Sequence, residues 1–269
     1  MNNLQIIILF FIIIIILIVI NMKELQFYYD DLKYYITAIW NNMVTHLLNN
    51  NLLDKPIEKI NKIAIITFEN RKDAEYIDLH NKNVLEYCKK WNYDYLFYDK
   101  CIHNVYWCKL YYVLDALKTK KYDYVMWMDS DAIIKNPDIS VSQIVNKYSS
   151  DIFVSKSTFA TFCAGVFIIK NSPIGISYIE ECINKQSLKC NKENDDKLKG
   201  FWAGMCYEQG IMNSLIINKF YKHTTCLPEY IIHNEKITET NKVCDVDTFI
   251  LHLFISPNDL RNKCFKRYV

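Results

Sequence analysis

From residue 62 onward the chain alternates short, continuously apolar runs with longer stretches whose apolar residues recur at helical spacing. Residues 62–68 (Lys-Ile-Ala-Ile-Ile-Thr-Phe) have the length and β-branched content of a buried strand, with Glu69-Asn70-Arg71-Lys72 as the polar loop beyond it. A helical stretch from about 77 to 91 leads to a second strand at 93–98, which makes a βαβ unit. A helix at 109–118, marked by Leu110, Val113, Leu114 and Leu117, delivers the chain into a third apolar run, 124–134. Further strands are expected at 152–155, 163–170, 228–232 and 249–254. Helices are expected from Ser172-Pro173 towards Cys182 and at 211–217, with a solvated loop at 189–199. Strands alternating with helices predict an α/β fold with a Rossmann-like mixed sheet flanked by helices.

The amino-terminal pattern is different. Residues 4–20 are apolar except for Gln5, close to the roughly 20 residues that span a bilayer. With no basic residue before them and no small-x-small cleavage site after, they predict an uncleaved transmembrane signal anchor over 1–22. The flanking charges, Lys23 and Lys33 beside Glu24, Asp30 and Asp31, do not orient it. Leu32, Tyr35, Ile36, Ile39, Trp40 and Met43 then mark a helical stem over 23–58, and Pro56 opens the boundary to one catalytic-sized domain, 59–269. The expected location is a single-pass membrane protein of type II, with that domain in the Golgi or ER lumen.

Composition narrows the picture. A formal charge of +2 with no basic, aromatic-interleaved stretch excludes nucleic acid as a partner. Ten cysteines, an even number, permit disulfides in an oxidising compartment, but their spacing names no pairs. Cys88, Cys108, Cys163 and Cys206 read as small buried hydrophobes. No C-x-x-C and no N-x-Ser/Thr sequon occurs.

The chemistry concentrates at Asp129-Ser130-Asp131, where two carboxylates follow an apolar strand abruptly. In extended backbone, residues two apart face the same side, so Asp129 and Asp131 converge while Ser130 faces away. A divalent cation relieves the repulsion, and oxygen ligands favour Mn2+ or Mg2+. The bland reading is a strand end followed by a turn. Gly165 permits close approach of backbone or ligand.

The order of several segments resembles the GT-A class of nucleotide-sugar glycosyltransferases, most nearly glycosyltransferase family 34, the galactosyl, mannosyl and xylosyl transferases. The matching residues are Trp107-Cys108-Lys109, Trp127-Met128-Asp129-Ser130-Asp131-Ala132 with Asn136, the run from Ala164-Gly165 to Lys170-Asn171, Glu208-Gln209 and Ile250-Leu251-His252-Leu253. The resemblance implies that Asp129, Asp131 and His252 ligate Mn2+ or Mg2+ on the diphosphate of a nucleoside-diphosphate sugar. Lys109, with Arg261 or Lys263, would neutralise phosphate charge. Thr67 would meet the nucleoside, and Ser130 and Gly165 would belong to the donor site. Glu208 and Gln209 would act at the reacting sugar, with retention of anomeric configuration and a glycan or glycoprotein as acceptor. Two positions depart from the family pattern: no glycine follows His252 within Leu253-Phe254-Ile255-Ser256, and Cys163 replaces a polar residue. Two rival readings use the same residues. One is a haloacid-dehalogenase-like phosphatase with Asp129 as nucleophile and Asp131 as general acid; the other is an inactive, membrane-tethered sugar-binding or scaffold protein.

Overall fold

The structure is a computed structural model that describes residues 60–71, 74–156, 162–186, 204–234 and 243–269. The expected anchor, stem and polar run at 189–199 lie outside these residues. Among the described residues no helix is long and apolar enough to cross a membrane.

Strand β1 (Ile63–Phe68) is followed by helix α1 (Glu75–Trp91), β2 (Asp94–Tyr98), α2 (Cys108–Lys118) and β3 (Tyr124–Met128). Helix α1 carries Glu75 and Asp78 in its first turn and Lys89 and Lys90 in its last, each opposing the helix dipole, and stops where Asn92 turns left-handed at φ 56°. After β3 come β4 (Ala132–Ile134), α3 (Val141–Tyr148), β5 (Ile152–Lys156), β6 (Phe162–Lys170) and α4 (Pro173–Asn184). The chain resumes with α5 (Glu208–Leu215), which runs into a π turn at Ile216–Phe220. It ends with β7 (Thr224–Leu227), β8 (Ile232–Asn234), β9 (Ile250–His252) and α6 (Asn258–Phe265).

Six strands form the main sheet in the order β2-β1-β3-β6-β5-β7, with β6 antiparallel to both neighbours and the other pairings parallel. Both faces are covered, which explains strands apolar at every position. Ala64, Ile66, Val125 and Trp127 face α2, α4 and α5, while Ile63, Ile65, Met126 and Met128 face α1 and α3. The α/β mixed sheet flanked by helices is therefore as the hydrophobic pattern predicts.

The third strand ends at the two carboxylates as expected; the chain turns after Met128, and β4 joins β9 and β8 in a separate three-stranded sheet. Two expectations need correction. Residues 228–231 form a turn, closed by the Ile231 N–H on the Pro228 carbonyl at 2.9 Å, and the neighbouring strands are β7 and β8. Cys108 and Cys206 are both disulfide-bonded. Cys108 pairs with Cys101, seven residues away, because the β2–α2 loop folds back on the helix it feeds and brings the Cα atoms to 6.2 Å. Cys244 pairs with Cys264, while Cys88 and Cys163 are free and buried as expected.

Candidate active site at the end of the third strand

The carboxyl end of β3 is fixed by backbone. The Asp129 N–H donates to the Gly165 carbonyl on β6 at 2.7 Å, and the Ala132 N–H donates back to the Asp129 carbonyl at 3.0 Å. That turn aims Asp129 and Asp131 out of the sheet. The small sheet then supplies the third group: β4 and β9 run antiparallel with Ala132 opposite His252, and the Leu253 N–H donates to the Asp131 carbonyl at 2.8 Å. One ligand atom from each of Asp129, Asp131 and His252 lies within 4.8 Å of the others.

His252 is buried, and its ring orientation is set from behind. The Asn234 amide nitrogen donates to Ser155 Oγ at 2.9 Å and to the Lys156 carbonyl, so Asn234 Oδ1 faces His252 and accepts its Nδ1–H at 2.8 Å. The remaining nitrogen, Nε2, is directed to Asp131 Oδ1 at 3.0 Å. Burial by itself lowers the basicity of the imidazole, but the Asp131 carboxylate outweighs it and raises His252 well above its ordinary value. Burial likewise pushes the Asp131 carboxyl up, yet His252 and Arg261 hold it at about 2. Gly165 makes room for the ring. A Cβ there would stand 2.1 Å from His252 Cε1 and 2.6 Å from Nε2.

Lys109 is buried rather than solvated on its helix, with 8% exposure. Its ammonium donates to Asp129 Oδ1 at 3.2 Å and to the Ala164 carbonyl at 3.1 Å, and pairs with Glu208 Oε1 at 3.1 Å. Asp129 Oδ1 also accepts the Trp127 indole N–H at 2.6 Å, as residues two apart on one strand face allow. Glu208 opens α5 and is pushed up by burial, against the pull of Lys109. Gln209 Oε1 accepts the Ala164 N–H at 3.0 Å, which joins α5 to β6 beside Gly165.

The other expected residues are placed less directly. Thr67 is fully buried, its hydroxyl 2.8 Å from the Met128 carbonyl and 3.0 Å from His80 Nε2, so the side chain ties β1 to β3. Ser130 faces away from the two aspartates, as alternation requires, and donates to Glu69 Oε2 at 2.7 Å. Lys263 is exposed on α6, whereas Arg261 on the same helix is buried and donates to Asp131 Oδ2 at 2.9 Å. Glu69, Trp127 and Asn234 have site contacts that the sequence reading did not assign. Of these only Trp127 carried a signal, its spacing of two from Asp129.

With sheet order, acidic turn and histidine in place, the fold is similar to that of a solved glycosyltransferase. A glycosyltransferase involved in the glycosylation of the major capsid of PBCV-1 superposes with a TM-score of 0.57 at 13% identity, over 77% of this chain and 99% of that one. The apo-form glycosyltransferase GlyE of Streptococcus pneumoniae TIGR4 gives a TM-score of 0.46 at 15% identity, over 77% of this chain and 60% of that one. Within the class, residues 58–150, from before β1 through α3, match the galactosyl transferase GMA12/MNN10 family, so the resemblance to family 34 holds over that span. No curated protein matches the chain in sequence.

Proposed function

We propose that the chain is a metal-dependent glycosyltransferase that moves a hexose or pentose from a nucleoside-diphosphate sugar to a hydroxyl of a glycan or glycoprotein, with retention. The convergence of Asp129, Asp131 and His252 at the carboxyl edge of the sheet carries this reading. The donor set fits a divalent cation. Two ionised carboxylates present hard oxygen atoms, and the imidazole, its Nδ1–H committed to Asn234, would offer a nitrogen lone pair once a cation displaces the Nε2 proton, a set that suits Mn2+ or Mg2+. Such an ion supplies Lewis-acid stabilisation of the departing diphosphate.

The chain's own residues do the rest. Lys109 holds Asp129 and adds positive charge beside the departing phosphates. Glu208 and Gln209 sit at the start of α5, next to the Lys109 ammonium and β6, where a carboxylate faces positive charge developing on the sugar. Disulfides at Cys101–Cys108 and Cys244–Cys264 support folding in an oxidising compartment, in keeping with a lumenal domain behind an anchor at 1–22. The phosphatase reading places the acidic motif at the opening of its domain, whereas here β1 and β2 precede it.

The test is hydrolysis of a panel of nucleotide sugars by the full chain, with and without Mn2+, alongside Asp131→Ala. One donor should be hydrolysed only with the metal, and the variant should be slower by about 100-fold or more. Metal-independent turnover, or cleavage of a phosphomonoester in place of every donor, would sink the proposal.

A further inference from the structure

Each carboxylate of the acidic turn has one oxygen tied down by a buried cation. At Asp129 the more closely held atom is Oδ1, which accepts from Lys109 and Trp127, with the Lys109 ammonium 3.5 Å from Oδ2 as well. At Asp131 it is Oδ2, held by Arg261, while Oδ1 faces His252. The two cations differ in how they are themselves held. Lys109 is held through its single ammonium, which contacts Asp129, Glu208 and the Ala164 carbonyl together. Arg261 keeps its place without Asp131: its Nε–H donates to the Leu253 carbonyl at 3.1 Å, a second nitrogen donates to Asn258 Oδ1 at 3.3 Å, and the guanidinium lies 4.9 Å from the centre of the buried Tyr76 ring. Leu253 is also the residue whose N–H holds the Asp131 carbonyl. Backbone and side chain of Asp131 are thus fixed from one short segment.

A free aspartate rotates about its terminal torsion and offers either oxygen. A planar fork anchored at three other points removes that freedom, which an ammonium on a flexible stem does not do. We propose that Arg261 is a positioning residue for Asp131, holding Oδ2 so that Oδ1 alone is presented towards His252 and the shared cation position. With three of its five N–H donors spent inside the protein and the side chain buried, it acts through Asp131 and not as a phosphate ligand. This inference rests on the metal reading of the proposed function.

The test is Mn2+ binding to the full chain, followed by the electron paramagnetic resonance signal of free Mn2+, for wild type, Arg261→Lys, Arg261→Gln and Asn258→Ala, with the melting temperature of each recorded without metal. Loss of an outer partner of a metal ligand weakens binding by about tenfold or more, and both Arg261 variants should show it. Asn258→Ala removes one of the three anchors at an exposed position and should weaken binding by about two- to threefold, which keeps the test open if the Arg261 variants do not fold. Charge alone predicts the opposite pattern: Arg261→Gln would tighten Mn2+ binding by removing a repelling cation, and Arg261→Lys would leave it unchanged. Either of those results overturns the proposal. A wild type that binds Mn2+ with no change in any variant overturns it while the metal reading stands. A wild type that takes up no Mn2+ overturns both.

Discussion

Gly165 and His252 show how one side chain's absence fixes another's place. The imidazole occupies the volume a Cβ at 165 would fill, and Asn234 behind it leaves the ring no second position with the same hydrogen bond. Gly165→Ala should therefore displace His252 and weaken Mn2+ binding by about tenfold or more, at a stability cost of about 1–3 kcal/mol from overpacking. Unchanged Mn2+ affinity in a folded variant would refute this account. The same pair shows what the sequence could disclose at this scale. Asp129 and Asp131 are legible because strand alternation relates residues two apart, and Gly165 is legible as a close approach, although not as an approach to His252. Asn234 and Glu69 are not legible. Each reaches the site from a different strand or loop, and only the completed pairing of β8 with β9, or of β1 with β3, brings them there.

Among the elements, the loop after β1 and the turn after β3 lock together through Glu69. Its carboxylate takes the Ser130 hydroxyl, the Arg71 backbone N–H at 2.8 Å and the Arg71 guanidinium, so two strand ends share one anion. Burial pushes Glu69 up, but the hydrogen bonds of Arg71 and Ser130 outweigh it and leave the carboxyl below its ordinary 4.5. A lowered folded value stabilises above the unfolded value and loses that stability as pH falls through the folded one. Glu69→Gln should accordingly be less stable than wild type by about 1 kcal/mol at pH 7, with the gap closing below pH 4.5. Denaturant midpoints measured for both from pH 7 to pH 3 check this; a constant gap would assign the loss to packing instead. Element boundaries were legible where a cap or a turn residue marks them. The Ser140–Gln143 capping box of α3 stands in the sequence as S-x-x-Q at the head of a helix of only eight residues. By contrast, Ile255 adopts a φ of 52°, a conformation rare for a β-branched residue, at the place where the sequence lacks the expected glycine. No propensity rule finds a turn there.

For the whole molecule, the hydrophobic pattern discloses the class of fold but leaves the second sheet hidden. A six-stranded sheet buried on both faces writes itself as continuous apolar runs. A three-residue strand such as β4 or β9 is too short to carry a period, so the division of 124–134 between two sheets depends on contacts more than 100 residues apart in sequence. Disulfides are hidden for a related reason, since pairing follows proximity and not spacing. Their consequence is nonetheless calculable. Cys244–Cys264 closes a separation of 20 residues and Cys101–Cys108 one of seven, for which loop-closure entropy gives about 3 and about 2 kcal/mol. The first joins the turn at Val243–Asp245 to α6, the helix that carries Arg261, and the second joins the β2–α2 loop to the helix that carries Lys109. Reduction should thus lower the denaturant midpoint of the full chain and weaken Mn2+ binding together, because both cations that hold the aspartates sit on helices the bridges fasten. In Cys244→Ala/Cys264→Ala, added reductant should cost about 3 kcal/mol less than in wild type. If reductant shifts both chains equally, that bridge contributes nothing to stability, and α6 is held by its packing, Phe265 against Tyr76 included, and by the hydrogen bonds of Arg261.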